Sequence, residues 1–314
     1  MSAKQSYQYI FGPVPSRRFG RSLGVDIVPR KTCTFNCGFC EVGPTTCLTM
    51  ERKEYAPLED VKRELAAWRS AGGTADFVTV TGSGEPTLHT GFGNIFEFIK
   101  SEIKIRSALL TNSTLLYLPD VRRAASLADV VKVTLSAWDE ESFRKIARPH
   151  ADLRFALVVE GLKRLRQEYT GAIWMEIFIV PRLNSDMSQI KAIATLAQSM
   201  KPDRIQLNTA VRPTAENNVG AVSALFLHEI TTMFEPRAEV IAGFAGAKEH
   251  RKKAGQDIIL AMLKRRPCTA QDVASAFSLD INETQEVLRK MAEQGLIRVE
   301  KRNGEEYFIG LTKE

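Results

Sequence analysis

The residues best placed to do chemistry are three cysteines, Cys33, Cys37 and Cys40, which stand within eight residues of one another in KTCTFNCGFC. The chain has five cysteines, an odd number, so this grouping suits a metal or cluster site better than a disulfide framework and points to a reducing compartment. Thiolates are the usual ligands of iron-sulfur clusters. Four of them normally complete a 4Fe-4S cubane, and three neighbouring thiols leave one iron open. The competing reading is a structural zinc ion closed by Cys47 as a fourth thiolate, although only Cys37 and Cys40 form the Cys-x-x-Cys pair that ordinary zinc sites favour. Free structural thiols are a third. Outside such a set Cys47 is a lone thiol, and Cys268, just before TAQDVASAF, reads as packing or surface.

Other polar groups fall where strands should end. Thr81-Gly82-Ser83-Gly84-Glu85-Pro86-Thr87 is a glycine-rich turn whose backbone amides can approach a ligand closely, while Glu85 also suits the N-terminus of a helix. Thr111, Asn112 and Ser113, then Ser136, then Asn208 and Thr209 follow later strands, facing the mouth of a barrel or capping the next helix. Glu176 and Lys132 lie inside expected strands, where an unpaired charge is costly, so they pair across neighbouring strands or contact a substrate. Arg17, Arg18 and Arg21 precede the first strand as a basic cluster, which either grips phosphate or carboxylate or is simply solvated.

The elements that position these groups are repeated strand-helix units. Apolar, β-branched runs at 23–29, 76–82, 106–112, 129–136, 172–180 and 204–210 alternate with amphipathic stretches. Each run is apolar enough for burial on both faces of a parallel sheet. In 58–72, Val61, Leu65, Ala66 and Trp68 share one side at helical spacing, and FGNIFEFIKSEI, LRFALVVEGLKRLRQEY and MSQIKAIATLAQSM also read as helices. Six units make an open doubly wound sheet or an incomplete barrel. In either, ligands gather at the carboxyl ends of the strands, where the loop carrying the three cysteines also lies.

A last helix in SALFLHEITTMFEP is followed by a stretch rich in Gly, Ala and charge, and then the pattern changes. DIILAMLKRR, TAQDVASAFS and NETQEVLRKMAEQGL read as three helices, and IRVEKR and EEYFIG as a hairpin turning at Asn303-Gly304. Three helices and a wing describe a winged helix-turn-helix. The expected organisation is a barrel domain over 1–245, a linker over 246–254 and a winged-helix domain over 255–314.

The net charge of +6 is unevenly spread: residues 1–253 hold 34 Lys+Arg against 27 Asp+Glu, and residues 254–314 hold nine against ten. The C-terminal unit therefore lacks the basic stripe of a DNA reader, and a protein-contact, substrate-presenting or dimerising role fits it better. No run approaches the roughly 20 apolar residues that cross a bilayer, and the first residues lack a signal-peptide core. The expectation is a cytoplasmic protein with no membrane partner.

Cys33-x-x-x-Cys37-x-x-Cys40, with Phe39 just before the last cysteine, resembles the signature of the radical S-adenosylmethionine superfamily. The resemblance implies a partial (β/α)6 TIM-like barrel holding a 4Fe-4S cluster on the three cysteines. The open iron would be chelated by the amino and carboxylate groups of S-adenosylmethionine, with Phe39 bordering the adenine. An electron from a one-electron donor would cleave that cosubstrate to methionine and a 5′-deoxyadenosyl radical, which abstracts a substrate hydrogen. Ser83-Gly84-Glu85 resembles the family's Gly-Gly-Glu segment that binds the amino group. By the same resemblance Asn112 and Ser136 would meet ribose or methionine, Arg182 or Asn184 the carboxylate or adenine, and Asn208 the cofactor side of the last strand.

More narrowly, FGPVPSRRFGRSLGVDIVPRKTCTFNCGFCEVGPTT, followed by ERKEY, resembles iron-sulfur oxidoreductases related to the wybutosine-synthesis enzymes of tRNA, over about residues 7–245. Those synthases carry a second cluster on additional cysteines. Only Cys47 and Cys268 remain here, too few for an equivalent set of three. The implied substrate is an RNA base or a peptide or protein. The alternative function is an iron-sulfur redox-sensing regulator that binds DNA through the winged helix, which the acidic balance of that unit opposes.

Overall fold

The computed structural model describes residues 7–16, 18–242, 255–277, 279–302 and 304–311. The chain enters through an antiparallel hairpin of β1 (Ile10–Ser16) and β2 (Gly20–Asp26), then forms a two-residue ladder of β3 (Thr32–Cys33) and β4 (Cys47–Leu48). Strands and helices then alternate: α1 (Leu58–Ser70), β5 (Phe77–Thr81), α2 (Phe92–Phe98), β6 (Ser107–Leu110), α3 (Pro119–Ala125) and β7 (Val130–Thr134). They continue as α4 (Glu140–Ala147), α5 (Phe155–Glu168), β8 (Ala172–Phe178), α6 (Met187–Ser199), β9 (Arg204–Asn208), α7 (Ala224–Ile230) and β10 (Glu239–Val240).

The main sheet runs β1-β2-β5-β6-β7-β8-β9-β10, parallel throughout except for β1. This is an α/β fold with a mostly parallel central sheet. The six expected strands are all present: five are shorter than their apolar runs, and the first, expected over 23–29, keeps its length but lies three residues earlier as β2. Helix α1 buries Val61, Leu65 and Trp68, the side expected to be apolar except for half-buried Ala66. Helix α4 begins at a capping box in which Asp139 and Ser142 bond each other's backbone N–H.

One difference concerns the hairpin. The basic cluster expected to precede the first strand sits at the turn of this hairpin, with Arg21 inside β2, and the preceding β1 accepts Pro13 and Pro15 because it is an edge strand with irregular pairing between Phe11 and Val14. Gly24 of β2 lies beneath the Phe11 ring: a Cβ there would come within 2.1 Å of it.

The C-terminal unit comprises α8 (Gln256–Leu263), α9 (Ala270–Phe277), α10 (Ile281–Glu293) and the antiparallel hairpin β11 (Ile297–Arg302) and β12 (Glu305–Gly310). Its core gathers Ile259, Leu263, Val273, Leu288, Met291 and Phe308. Cys268 is fully buried there, exchanging backbone hydrogen bonds with Phe308, so it is a packing residue. The unit rests on β1, whose Val14 joins its core, and Arg265, just past the end of α8, lies over the Phe11 ring at 3.7 Å. The expected linker over 246–254 and the turn residue Asn303 lie outside the described residues; Gly304 has φ +81°, the conformation a tight hairpin turn asks of glycine.

Candidate cofactor site at the carboxyl ends of the strands

Strand β2 ends at Asp26, and the chain then crosses the carboxyl end of the sheet as the loop carrying Cys33, Cys37 and Cys40, all partly buried. Their sulphurs have different neighbours. Cys33 Sγ faces the Asn112 side-chain amide at 3.6 Å and the Phe35 N–H at 3.5 Å; Cys37 donates to the Ala147 carbonyl at 3.4 Å; Cys40 Sγ accepts from Lys31 Nζ at 3.0 Å. Burial, followed by the nearby Glu85 carboxylate, pushes the Cys33 thiol up to about 12, and burial pushes Cys37 well above its ordinary value. Such thiols ionise when a metal's positive charge replaces the proton.

Among the described residues no three or more His, Cys, Asp or Glu side chains converge as they would around a single metal ion. Thiolates on a cubane occupy separate irons and need not converge so tightly. Cys47 is exposed, and its pairing with Thr32 puts it one residue out of step with Cys33, whose partner is Leu48. Successive strand residues face opposite ways, so Cys47 is turned away from Cys33 and a closed set of four thiolates does not form.

The Ser83-Gly84-Glu85 segment is held from beneath. Ser83 Oγ donates to Asp26 at 2.8 Å and its carbonyl accepts from the Lys31 N–H at 2.8 Å, so its side chain is spent on the protein. A Cβ on Gly84 would stand 2.0 Å from the Thr32 carbonyl, a close approach that only glycine permits. Glu85 is 1% exposed; its carboxylate accepts from Thr111 Oγ1 at 2.6 Å, from Thr87 Oγ1 at 2.6 Å and from the Asn112 N–H at 2.8 Å. It also caps the short turn at Pro86–Leu88, in line with the helix-terminus reading. Burial raises its pKa despite those hydrogen bonds.

Of the remaining sequence candidates, the structure gathers some and not others. Asn112, beside Cys33, bonds Thr34 Oγ1 at 2.8 Å. Phe39 stacks on Phe178 at 4.5 Å. Ser136 lines the same cavity as Cys37 and Phe39, a pocket of about 150 Å³, while its Oγ accepts from the Phe178 N–H. Asn184 is fully buried; its Oδ1 accepts from the Val180 N–H and its Nδ2 donates to the Ser136 and Phe178 carbonyls, so both of its donor hydrogens are used within the protein. Arg182 is exposed in a left-handed turn, φ +65°, and borders neither cavity beside the cysteines. Asn208 lines a second cavity of about 370 Å³, together with Phe39, Cys40 and Glu176. Its Nδ2 donates to Glu176 at 2.9 Å, which fixes the amide orientation, and its buried Oδ1 has no partner among the described residues.

Glu176 and Lys132 do pair, and sequence reasoning missed the third member: Arg18 bonds the same carboxylate. Burial alone would raise the Glu176 carboxyl, but Arg18 and Lys132 outweigh it and hold it at about 2. The basic cluster therefore grips a carboxylate of the protein itself through Arg18, whereas Arg21 sits near Asp76 at the surface and Arg17 lies outside the described residues. Also missed was the buried Arg212, which joins Glu41 of the cysteine loop at 3.0 Å to Asp272 of α9 at 3.9 Å. Neither pairing has a local sequence signal.

The donor set, a close-packed glycine and an orphaned acceptor together fit a thiolate-held cluster with a second ligand beside it. The radical SAM family model matches residues 27–194, more than half of the chain, so this protein belongs to the radical SAM superfamily and is an enzyme of that class. Its members typically use S-adenosylmethionine and a 4Fe-4S cluster.

More particularly, it is 35% identical over 209 residues to a UPF0026 protein of Synechocystis sp., covering 66% of this chain and 77% of that one. A Brachyspira hyodysenteriae protein described as GTPase Obg is 31% identical over 306 residues, 96% of this chain but only 45% of that protein. The present sequence has no Gly-Lys-Ser or Gly-Lys-Thr with which to build a phosphate loop. A radical SAM methyltransferase from Sphaerobacter thermophilus shares the fold, with a TM-score of 0.54 and 16% identity over 70% of this chain and 66% of that one. No helix among the described residues is long and apolar enough to cross a membrane.

Proposed function

We propose that Cys33, Cys37 and Cys40 hold a 4Fe-4S cluster whose open iron takes S-adenosylmethionine, and that the enzyme uses the resulting radical on an RNA base or on a peptide or protein. The observation that carries this reading is the arrangement of thiols: three partly buried on one segment, with Cys37 and Cys40 bordering cavities and Cys47 turned to solvent. The bound cluster would relay an electron from an external donor to the sulfonium and so generate the 5′-deoxyadenosyl radical.

The chain's own residues hold and shield the reactants. Asn112 orients Cys33, the stacked rings of Phe39 and Phe178 keep water from one wall, and Asn208 offers its free acceptor to whatever enters the larger cavity. Ser83, Gly84 and Glu85 support the loop through backbone approach and buried hydrogen bonds. The proposed domains are 1–245 and 255–314, joined by 246–254. The second is read as a winged helix that serves protein contact, a role its seating on β1 and on the Glu41 loop supports. Thiols of this kind suit a reducing compartment, the cytoplasm.

Anaerobically reconstituted protein, given dithionite and S-adenosylmethionine, is expected to release 5′-deoxyadenosine, and Cys33→Ala, Cys37→Ala or Cys40→Ala to abolish it. A preparation that binds zinc in place of iron, or a cubane whose spectrum ignores S-adenosylmethionine, would overturn the proposal.

A further inference from the structure

We infer that Lys31 is a positioning residue for charge at the cluster: its ammonium, set against the Cys40 sulphur, raises the reduction potential and so determines which electron donors the enzyme can use. This rests on the function proposed above and concerns one of the chain's own side chains.

Three observations meet at Lys31. The residue is 5% exposed, and its Nζ stands 3.0 Å from Cys40 Sγ. A buried ammonium needs an anionic partner, and a neutral thiol is a poor one. The pairing becomes favourable when the sulphur is a thiolate on iron. Secondly, Lys31 holds φ +60°, a left-handed conformation that is uncommon outside glycine. It is pinned there because its N–H donates to the Ser83 carbonyl at 2.8 Å and its carbonyl accepts from the Thr46 and Cys47 N–H groups at 3.1 Å. Glycine or asparagine would occupy this turn with less strain, yet the position carries a long cation. Thirdly, among the described residues Cys40 is the sulphur that Lys31 bonds directly: the nearest hydrogen-bonding groups of Cys33 are neutral donors and that of Cys37 is a carbonyl, and the Lys31 charge acts on those two only at longer range.

The direction of the effect follows from Coulomb's law. Reduction takes one electron from the donor and adds one negative charge to the cluster, so a fixed cation beside a ligand sulphur favours the reduced form more than the oxidised form. A hydrogen bond to that sulphur acts in the same sense.

The test is a redox titration of reconstituted protein, followed by electron paramagnetic resonance at matched iron and sulfide content, for the native chain and for Lys31→Met, Lys31→Gln and Lys31→Arg. The Met and Gln variants should shift the one-electron equilibrium at least tenfold toward the oxidised cluster, 59 mV lower, and Arg should stay within threefold of the native chain. Gln and Arg suffice if the Met variant does not fold. Unchanged equilibria in the neutral variants, or an Arg variant shifted as far as Gln, overturn the inference alone. A native chain that takes up no cluster overturns the proposed function along with it.

Discussion

The two ends of the same parallel strands are built on opposite principles. At the amino end, Phe19 stacks on Trp174 at 5.0 Å and tilts against Phe77 at 5.0 Å, while Arg204 and Arg106 cover the outer rings, each 4.7 Å from a ring centroid. This end is a hydrophobic plug with cations stacked on its rim. At the carboxyl end lie left-handed Lys31, Ser113 and Arg182 and the Asn208 oxygen that has no partner among the described residues, and a buried triad runs inward from there, from Glu176 on the cavity walls through Lys132 in mid-strand to Arg18 beside Phe19. Left-handed residues also precede β6 and β9, at Lys104 and Lys201, so strain alone does not separate the ends; thiols, cavities and an unsatisfied acceptor at one end and packed rings at the other do. That division is the one expected of barrels, whose loops after the strands carry the chemistry.

The largest test of the contrast is Glu176→Leu. It strands Lys132 and Arg18 without their shared carboxylate, so urea unfolding should show a loss of about 3 to 5 kcal/mol. The native chain should also reveal this carboxylate in its pH dependence. Its pKa is lowered from 4.5 to about 2 on folding, so the stability it contributes is present above about pH 4.5 and is lost as pH falls toward 2. Acid titration of unfolding in Glu176→Gln should lack that component. If the two profiles coincide, the triad is not the stabilising group described.

At the plug, Phe19→Ala should remove about 3 kcal/mol by leaving a cavity among Phe77 and Trp174, with iron content after reconstitution unchanged. A parallel loss of cluster would erase the distinction between the ends. Between them, Gly24→Ala forces a methyl group into the Phe11 ring and should destabilise the entry hairpin by about 2 kcal/mol. Thermal denaturation measures it. The smallest effect has the opposite sign: Arg182→Gly relieves a left-handed turn and should stabilise by about 1 kcal/mol. Unchanged S-adenosylmethionine affinity in that variant would make Arg182 a turn residue alone, whereas weaker binding would return it to the site.

Patterns confined to neighbouring residues were readable without a structure. The β-branched runs became strands because a parallel strand buried on both faces leaves a local signature, and Cys33, Cys37 and Cys40 stood out because their spacing is itself the signal. Strand β1 was obscured by its prolines, which an edge strand accepts but which break a strand's usual pattern. The α4 capping box, Asp139 with Ser142, is local too, but it is less conspicuous than a long apolar stripe.

By itself, then, the amino-acid order determined the alternation of strands and helices, the loop of three thiols and the polar residues at strand ends. Only the tertiary structure decided how those polar groups are used. Arg18 reaches Glu176 across 158 residues, Lys31 turns back onto Cys40, Asn184 ties its own loop to the Ser136 carbonyl, and Arg182 faces solvent. The reason is that periodicity and turn chemistry act over a few residues, whereas the partner of a buried charge is whichever group the folded sheet brings within hydrogen-bonding distance.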